Sequence, residues 1–223
     1  MAGTIRVITT KPNSEGFSGR ISADVTTLDS SDDNGSMIRG LLNVPIIEDQ
    51  LAIRLVAGYT KTPGWIDVPD LGLKDVNDTE QADFRGSLRW TPSDTLTVDA
   101  SITYQDLKIG STYGATEPGL MDPQGQFPPS GNVASLSPND TDYLIGNLTI
   151  AYDFSFASLV SATSYFDQDR TAFFDISPFL PLFFGPGTGG TTDNPGETTN
   201  KLWSQEFRLV SNDAKRVGWT VGA

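Results

Sequence analysis

Apolar and polar residues alternate along most of the chain, with the period of two that is typical of half-buried β-strands. In the clearest run, residues 96–104, the apolar positions are Leu96, Val98, Ala100, Ile102 and Tyr104, and the polar ones are Thr97, Asp99, Ser101 and Thr103. Residues 17–27, 51–59 and 84–90 repeat this pattern. Helical periodicity is nearly absent. The sequence therefore predicts an all-β, antiparallel protein whose strands present one apolar and one polar face.

The predicted strands are long, about ten residues or more, whereas a typical globular strand has about five or six. Ten residues at a steep tilt cross the hydrocarbon core of a bilayer. No stretch approaches the roughly 18 apolar residues of a transmembrane helix. Strand length favours a transmembrane β-barrel, while a soluble β-sandwich, whose strands also alternate, remains the alternative.

Long and short connections also alternate along the chain. The long ones are Asp29–Gly35, Gly64–Gln81, Gly110–Thr141 and Ile176–Asn200, and the short turns are Pro45–Asp49, Thr91–Asp94, Asp153–Phe156 and Asn212–Lys215. Because each strand reverses direction, all long loops are predicted at one end of the sheet and all short turns at the other. Outer-membrane barrels show this asymmetry, with short periplasmic turns and longer extracellular loops.

The placement of aromatic and arginine residues agrees with a barrel wall. Trp90, Tyr152, Phe154 and Phe156 lie beside short turns, and Tyr59, Tyr104 and Tyr165 lie nearer the long loops. Two aromatic girdles at the two membrane interfaces would give this pattern. The polar face carries arginines, which a barrel would place inside: Arg20, Arg39, Arg54, Arg85, Arg89 and Arg208.

Composition narrows the possible functions. The formal net charge of −13 disfavours nucleic-acid binding, which needs cationic partners for the phosphates. The chain has no Cys and no His, which excludes thiol chemistry and a Ser-His-Asp triad. The carboxylate pairs Asp32/Asp33, Glu48/Asp49 and Asp67/Asp70 have no defined separation, and Asp29–Gly35 lacks the spacing of a calcium loop. No enzymatic activity, cofactor or metal site is predicted.

Several segments resemble, in order, the family of TonB-dependent receptors. Residues 2–13 resemble the end of the plug domain, in which a glycine-led strand ends in a Thr-Lys-x-Pro-like segment just before the barrel. Residues 39–46 and 51–59 are similar to the second and third barrel strands, and residues 88–92 and 96–100 to the fourth and fifth. Residues 204–209 and 219–223 resemble a later strand pair. The resemblance covers essentially the whole chain, although each motif is weak by itself.

The resemblance implies a C-terminal remnant of the plug domain at residues 1–13 and the N-terminal part of the barrel at residues 14–223. The expected fold is an open, curved sheet of about eight or nine strands, cut from a barrel of about 22. No secretory signal is visible, and the chain is interpreted as a fragment in which Met1 is an internal methionine.

The same resemblance implies a receptor in the outer membrane of a Gram-negative bacterium, which takes up a scarce nutrient such as a ferric siderophore. Its partners would be outer-membrane lipid, the small nutrient ligand and, through a segment outside this chain, the TonB system. Two alternatives stay open: a complete eight-stranded barrel with a structural or adhesive role, and a soluble β-sandwich binding module.

Aromatic residues in the long connections are the candidate ligand contacts, since aromatic rings stack on siderophores, glycans and corrin-like rings. They are Trp65, Tyr113, Phe179, Phe183 and Phe184. The competing interpretation is that these rings pack against neighbouring loops and hold that end of the sheet together.

The face assignment predicts unequal costs for the same substitution on the two faces. Val98→Arg or Leu55→Arg should weaken assembly into lipid by about 2–4 kcal/mol, because the charge would lie at mid-bilayer. Ser101→Arg should cost far less, because residue 101 faces the lumen. Folding titrations into lipid vesicles measure all three, and equal losses would refute the face assignment.

Overall fold

The computed structural model describes residues 9–112, 136–175, 180–185, 193–212 and 217–223. These residues form one nine-stranded antiparallel sheet in which each strand pairs with the next one along the chain. The strands are β1 (Ser18–Thr27), β2 (Asn34–Ile47), β3 (Leu51–Thr62), β4 (Thr79–Ser93), β5 (Leu96–Ile109), β6 (Asn139–Asp153), β7 (Ala157–Asp175), β8 (Asp193–Ser211) and β9 (Thr220–Gly222). A five-residue helix, α1 (Leu180–Phe184), lies between β7 and β8.

The sheet is open at both ends of the strand order. β1 pairs with β2 over its whole length, and β9 pairs with β8 only at Arg208–Val210. Within the described residues, β1 and β9 therefore remain edges. This confirms the predicted open sheet of eight or nine strands, and neither a closed eight-stranded barrel nor a two-sheet sandwich fits it.

The register sorts side chains as the sequence predicts. On one side, Val98 lies opposite Trp90 and Ile150, and Ala100 lies opposite Leu88 and Leu148. We call this side the apolar face. On the other side, the polar face, Asp99 lies opposite Arg89, and Ser101 lies opposite Asn147. Because partners directly opposite share a face, the alternation within one strand extends across β2–β6.

The apolar face is not a core of the usual kind, because its side chains stay accessible. Phe84, Ile102 and Tyr104 keep 41%, 45% and 40% of their surface exposed. The chain exposes 14662 Å² in total, whereas a compact protein of 24.0 kDa would expose about 9,900 Å². A large part of the apolar surface of this sheet is therefore accessible to another medium or molecule.

The separation of apolar and polar side chains onto different faces is less complete on β7 and β8. Ser161 and Thr163 occupy the apolar face between Leu159 and Tyr165, and Gln205 of β8 lies opposite Thr163. These three side chains bond to one another: Thr163 Oγ1 donates to Gln205 Oε1 (2.5 Å), and Gln205 Nε2 donates to Ser161 Oγ (3.0 Å). Mutual bonding lowers the cost of polar groups on such a face.

The short turns meet at one end of the sheet and bond to each other. The Thr91 N–H donates to the Gln50 carbonyl (2.7 Å), and the Asp153 N–H donates to the Thr95 carbonyl (2.8 Å). The side-chain amide of Asn212 donates through Nδ2 to the Phe154 carbonyl (2.7 Å). The long connections leave from the opposite end, as predicted.

Several predicted boundaries are wrong: residues 79–81, 91–93 and 139–141, for example, belong to strands and not to connections. Residues 193–200, predicted as loop, belong to β8 and pair with residues 168–175 of β7. Pro195 is tolerated there because, among the described residues, no strand pairs with the other side of β8 at this point, and an edge strand needs no N–H from proline. Pro45 and Ile47, predicted as turn, lie at the end of β2 beside an irregularity in register.

No helix in the described parts of the chain is long and apolar enough to cross a membrane.

Candidate functional site

The connection between β3 and β4 folds around a small apolar core of its own. Ile66, Val68 and Val76 are 3%, 0% and 7% exposed, and Trp65, Leu71 and Leu136 pack against them. Leu136 belongs to the next long connection, between β5 and β6. The core therefore joins two long connections, and it makes residues 64–78 a compact loop packed by its own side chains.

Asn77 fixes the backbone of this loop. Its Oδ1 accepts hydrogen bonds from the N–H groups of Trp65 (2.7 Å) and Ile66 (2.8 Å). The Val76 N–H donates to the Ile66 carbonyl at 2.8 Å. Gly64 lies so close to Asp75 that a Cβ there would overlap the Asp75 carbonyl. The two ends of the loop therefore lie side by side without room for a side chain at residue 64.

Charged groups connect this loop to the first long connection. The Asp32 N–H donates to Asp75 Oδ2 (2.8 Å), and Lys74 Nζ lies 3.0 Å from Asp32 Oδ2. The hydrogen bond to Asp32, the charge of Asp32 and the nearby charge of Asp67 raise the pKa of Lys74. Residues 29–35 and 64–81 together hold eight Asp and Glu against one Lys. This part of the long-loop end is therefore strongly acidic.

A second buried node joins β5, β6 and β7 at the same end. Ser137 is fully buried, and its carbonyl accepts hydrogen bonds from the Thr112 N–H (2.8 Å) and hydroxyl (3.1 Å). The Ser137 hydroxyl accepts a hydrogen bond from the Asp175 N–H (3.1 Å). The Ser137 N–H donates to Ser111 Oγ (3.3 Å). The described bases of these connections are thus held in fixed relative positions.

The predicted ligand contacts occupy different surroundings. Trp65 is half-buried and packs against the small core of the 64–78 loop. Phe183 and Phe184 lie on α1 and are 77% and 72% exposed. Tyr113 and Phe179 lie outside the described residues. Trp65 therefore combines a packing role with partial accessibility, whereas Phe183 and Phe184 present nearly free apolar surface.

A segment before the first strand lies on the polar face. We call residues 9–16 the terminal segment; of the predicted plug remnant, residues 9–13 fall within the described chain. Lys11 Nζ lies 2.8 Å from Asp99 Oδ2 of β5. Asn43 of β2 is fully buried and bonds to the backbone of Asn13 and Gly16. A cleft of about 340 Å³ beside the segment is lined by Arg85, Ser87, Ser101 and Asn147, among others.

Sequence reasoning missed the contacts of Asn43 and the core of the 64–78 loop. A single Asn in an alternating strand gives no sign of its partner about thirty residues away, and Ile66, Val68 and Val76 lie in a stretch rich in turn residues. The described residues contain no group of His, Cys, Asp and Glu that could hold a metal ion.

Comparisons with known proteins bear on the fold. No family model matches the chain, and no curated protein matches it. Among solved structures, it is similar to the ferric yersiniabactin uptake receptor FyuA from Yersinia pestis, with a TM-score of 0.69 and 14% identity over 96% of this chain. It is also similar to the siderophore receptor PirA from Acinetobacter baumannii, with a TM-score of 0.61 and 18% identity over 96% of this chain.

The similarity places the sheet in a class of folds. The chain spans 31% of the length of the Yersinia receptor and 30% of the length of the Acinetobacter receptor. At these identities the likeness shows the fold alone. The nine strands have the fold of a segment of an outer-membrane receptor barrel, of about one third of the receptor's length.

The geometry of Asn77 predicts a local effect of substitution. Asn77→Ala leaves two N–H groups without their acceptor, at about 1–3 kcal/mol for each buried group. The amides of Trp65 and Ile66 should then exchange hydrogen on the order of 10-fold faster or more, since 1.4 kcal/mol is a factor of ten. Asn77→Asp, which keeps an acceptor oxygen, is the matched control. Unchanged exchange in Asn77→Ala would show that Asn77 does not fix the loop.

Proposed function

We propose that the chain is part of the barrel wall of a TonB-dependent receptor in the outer membrane of a Gram-negative bacterium. The receptor would take up a scarce nutrient, such as a ferric siderophore. The observation that carries the proposal is the coincidence of two asymmetries in one open sheet. One face is apolar and exposed while the other is polar, and long connections and short turns occupy opposite ends.

Each asymmetry has a role in this proposal. The apolar face would contact lipid, because exposed alternating apolar residues need an apolar medium. The polar face would line the lumen, which accounts for its arginines and for the terminal segment that lies on it. The long connections would form the outer surface where ligand arrives. The short turns would face the periplasm.

The terminal segment supports a boundary between plug and barrel near residue 13. Residues 1–13 would be the last part of the plug, and residues 14–223 would belong to the barrel. The TonB system would act on the plug and so reach the ligand site from the periplasmic side. The contacts of Asn43 with Asn13 and Gly16 lie where the plug would pass into the first strand.

A transport role fits better than an enzymatic one. The two similar structures are uptake and siderophore receptors by name. The polar face has no His or Cys, because the whole chain has none. The exposed rings of Phe183 and Phe184 and the accessible part of Trp65 would provide apolar contact for the ligand. The acidic residues of the first two long connections would favour a neutral or cationic ligand over an anionic one.

Single-tryptophan variants test the membrane assignment. The chain has four Trp, and each variant keeps one and replaces the others with Phe. Trp90 lies on the apolar face near the short turn after β4, and Trp203 lies on the apolar face midway along β8; they are 40% and 69% exposed. In vesicles of brominated lipid, the fluorescence of both should be quenched, because both rings would contact acyl chains. Trp65, in the loop, should be unaffected, and quenching of Trp65 with none of Trp90 would contradict the proposal.

A binding titration tests the ligand contacts. Phe183→Ala and Phe184→Ala should each weaken binding of a recognised ferric siderophore on the order of 10-fold, since burying such a ring contributes about 1.5–3 kcal/mol. Ferric hydroxamate and ferric catecholate complexes are the probes, with Trp65 fluorescence as the signal. Phe17→Ala, an exposed ring just before β1, is the control. A complex that binds the wild-type chain and both variants equally would exclude these rings from the site.

A further inference from the structure

The terminal segment is held on the polar face by contacts of two kinds: side-chain hydrogen bonds with Asn43, beside a backbone bond from the Asp49 N–H to the Ser14 carbonyl (3.3 Å), and an ion pair at Lys11. The first point is Asn43, whose side chain is fully buried. Its Nδ2 donates to the carbonyls of Asn13 (2.8 Å) and Gly16 (2.9 Å), and its Oδ1 accepts from the Asn13 N–H (2.9 Å). Breaking these bonds without replacement would leave buried polar groups unsatisfied, which costs about 1–3 kcal/mol for each group. Pro12, beside this point, is also buried.

The second point is the ion pair between Lys11 and Asp99. Nζ and Oδ2 are 2.8 Å apart, but the two side chains are 56% and 25% exposed. Ion pairs between accessible groups contribute about 0–1 kcal/mol, and salt screens them. The contact of Lys11 is therefore much easier to break than the contacts of Asn43.

Arg89 makes release of Lys11 easier still. It lies directly opposite Asp99 across β4 and β5, with Nη1 3.8 Å from Asp99 Oδ1. That distance is too long for a hydrogen bond, and Asp99 Oδ1 accepts none from the described residues. A small movement of the guanidinium would give Asp99 a charged partner after Lys11 leaves. The main cost of breaking such a pair, an uncompensated charge, is thereby avoided.

We propose that the terminal segment is a hinged strap with a fixed part and a releasable part. Residues 12–16 stay attached through Asn43. Residues 9–11 leave the polar face when the ion pair of Lys11 with Asp99 breaks and Asp99 pairs with Arg89 instead. Release opens the cleft lined by Arg85, Ser87 and Ser101. Tension applied to the chain before Thr9 releases the ion pair and then stops at Asn43. The inference rests on the contacts alone and does not require that the sheet be part of a receptor.

Spin labels test the two parts separately, and the absence of Cys from the sequence makes single labels simple to place. Thr10→Cys labels the releasable part and Glu15→Cys the fixed part; both residues are exposed. The labelled chain is folded in detergent micelles or vesicles, and label mobility is measured by electron paramagnetic resonance. Raising NaCl from about 0.1 M to about 1 M shortens the Debye length from about 10 Å to about 3 Å. The label at residue 10 should become mobile, and the label at residue 15 should not.

Variants assign the effect to the three side chains. Lys11→Met should mobilise residue 10 already at low salt and leave residue 15 unchanged. Arg89→Met should keep residue 10 immobile to higher salt, because Asp99 then has no alternative partner. Asn43→Leu should mobilise residue 15. Asn43→Asp, which keeps the acceptor for the Asn13 N–H but loses both donors, is the milder variant if Asn43→Leu does not fold.

The matched control is Lys61→Met, which removes the ion pair with Asp33 (3.7 Å) in the long-loop half of the sheet. This substitution should not change the mobility of the label at residue 10 or at residue 15. The proposal is overturned if salt or Lys11→Met leaves residue 10 immobile, or if either mobilises residue 15 together with residue 10. It is also overturned if Arg89→Met makes residue 10 more mobile than in the wild-type background. Because the readout is the mobility of the two labels and no ligand is added, these outcomes are independent of the receptor assignment.

Discussion

Backbone pairing between consecutive strands is the interaction on which the rest of this structure depends. The sheet has almost no interior, since apart from prolines the buried apolar side chains of the described chain are Ala52, Ile66, Val68, Val76 and Ala157. Three of these belong to one loop. Hydrogen-bond ladders of ten or more residues therefore fix the strands and bring side chains into rows. In a medium without water, breaking each of these backbone hydrogen bonds would cost more free energy.

The two ends of the sheet are held in different ways. The short-turn end uses backbone bonds between neighbouring turns, which need little sequence specificity. The long-loop end uses side chains: the Ile66, Val68 and Val76 core, the Asn77 amide and the Ser137 hydroxyl. Such contacts preorganise a surface whose shape depends on a few residues. Substitutions in these loops can then change that surface while the ladders stay the same.

The sequence allowed the repeating part of the fold to be predicted, because repetition is what periodicity measures. The faces of β2–β6, the arginines on the polar face and the alternation of loops and turns all follow from local pattern. The strand at residues 193–200 did not, since Asn, Pro and Gly there oppose a strand locally and only pairing with β7 overrides them. The partners of Asn43 and the core of the 64–78 loop depend on contacts between distant residues. The face assignment held least well on β7 and β8, where Ser161, Thr163 and Gln205 satisfy one another. Whether the aromatic rings contact a ligand stays a prediction.

Strand order that equals chain order also has a kinetic consequence. The entropy lost on closing a loop rises with its length, by about 0.6 kcal/mol for each doubling. The turn between β2 and β3 spans Glu48–Gln50, whereas the connection between β3 and β4 spans Pro63–Asp78. Hairpins such as β2–β3, β4–β5 and β6–β7 are therefore the units that close first. The sheet can then grow by lateral addition of preformed hairpins. The entropy of closing each long connection is lost only when two hairpins pair.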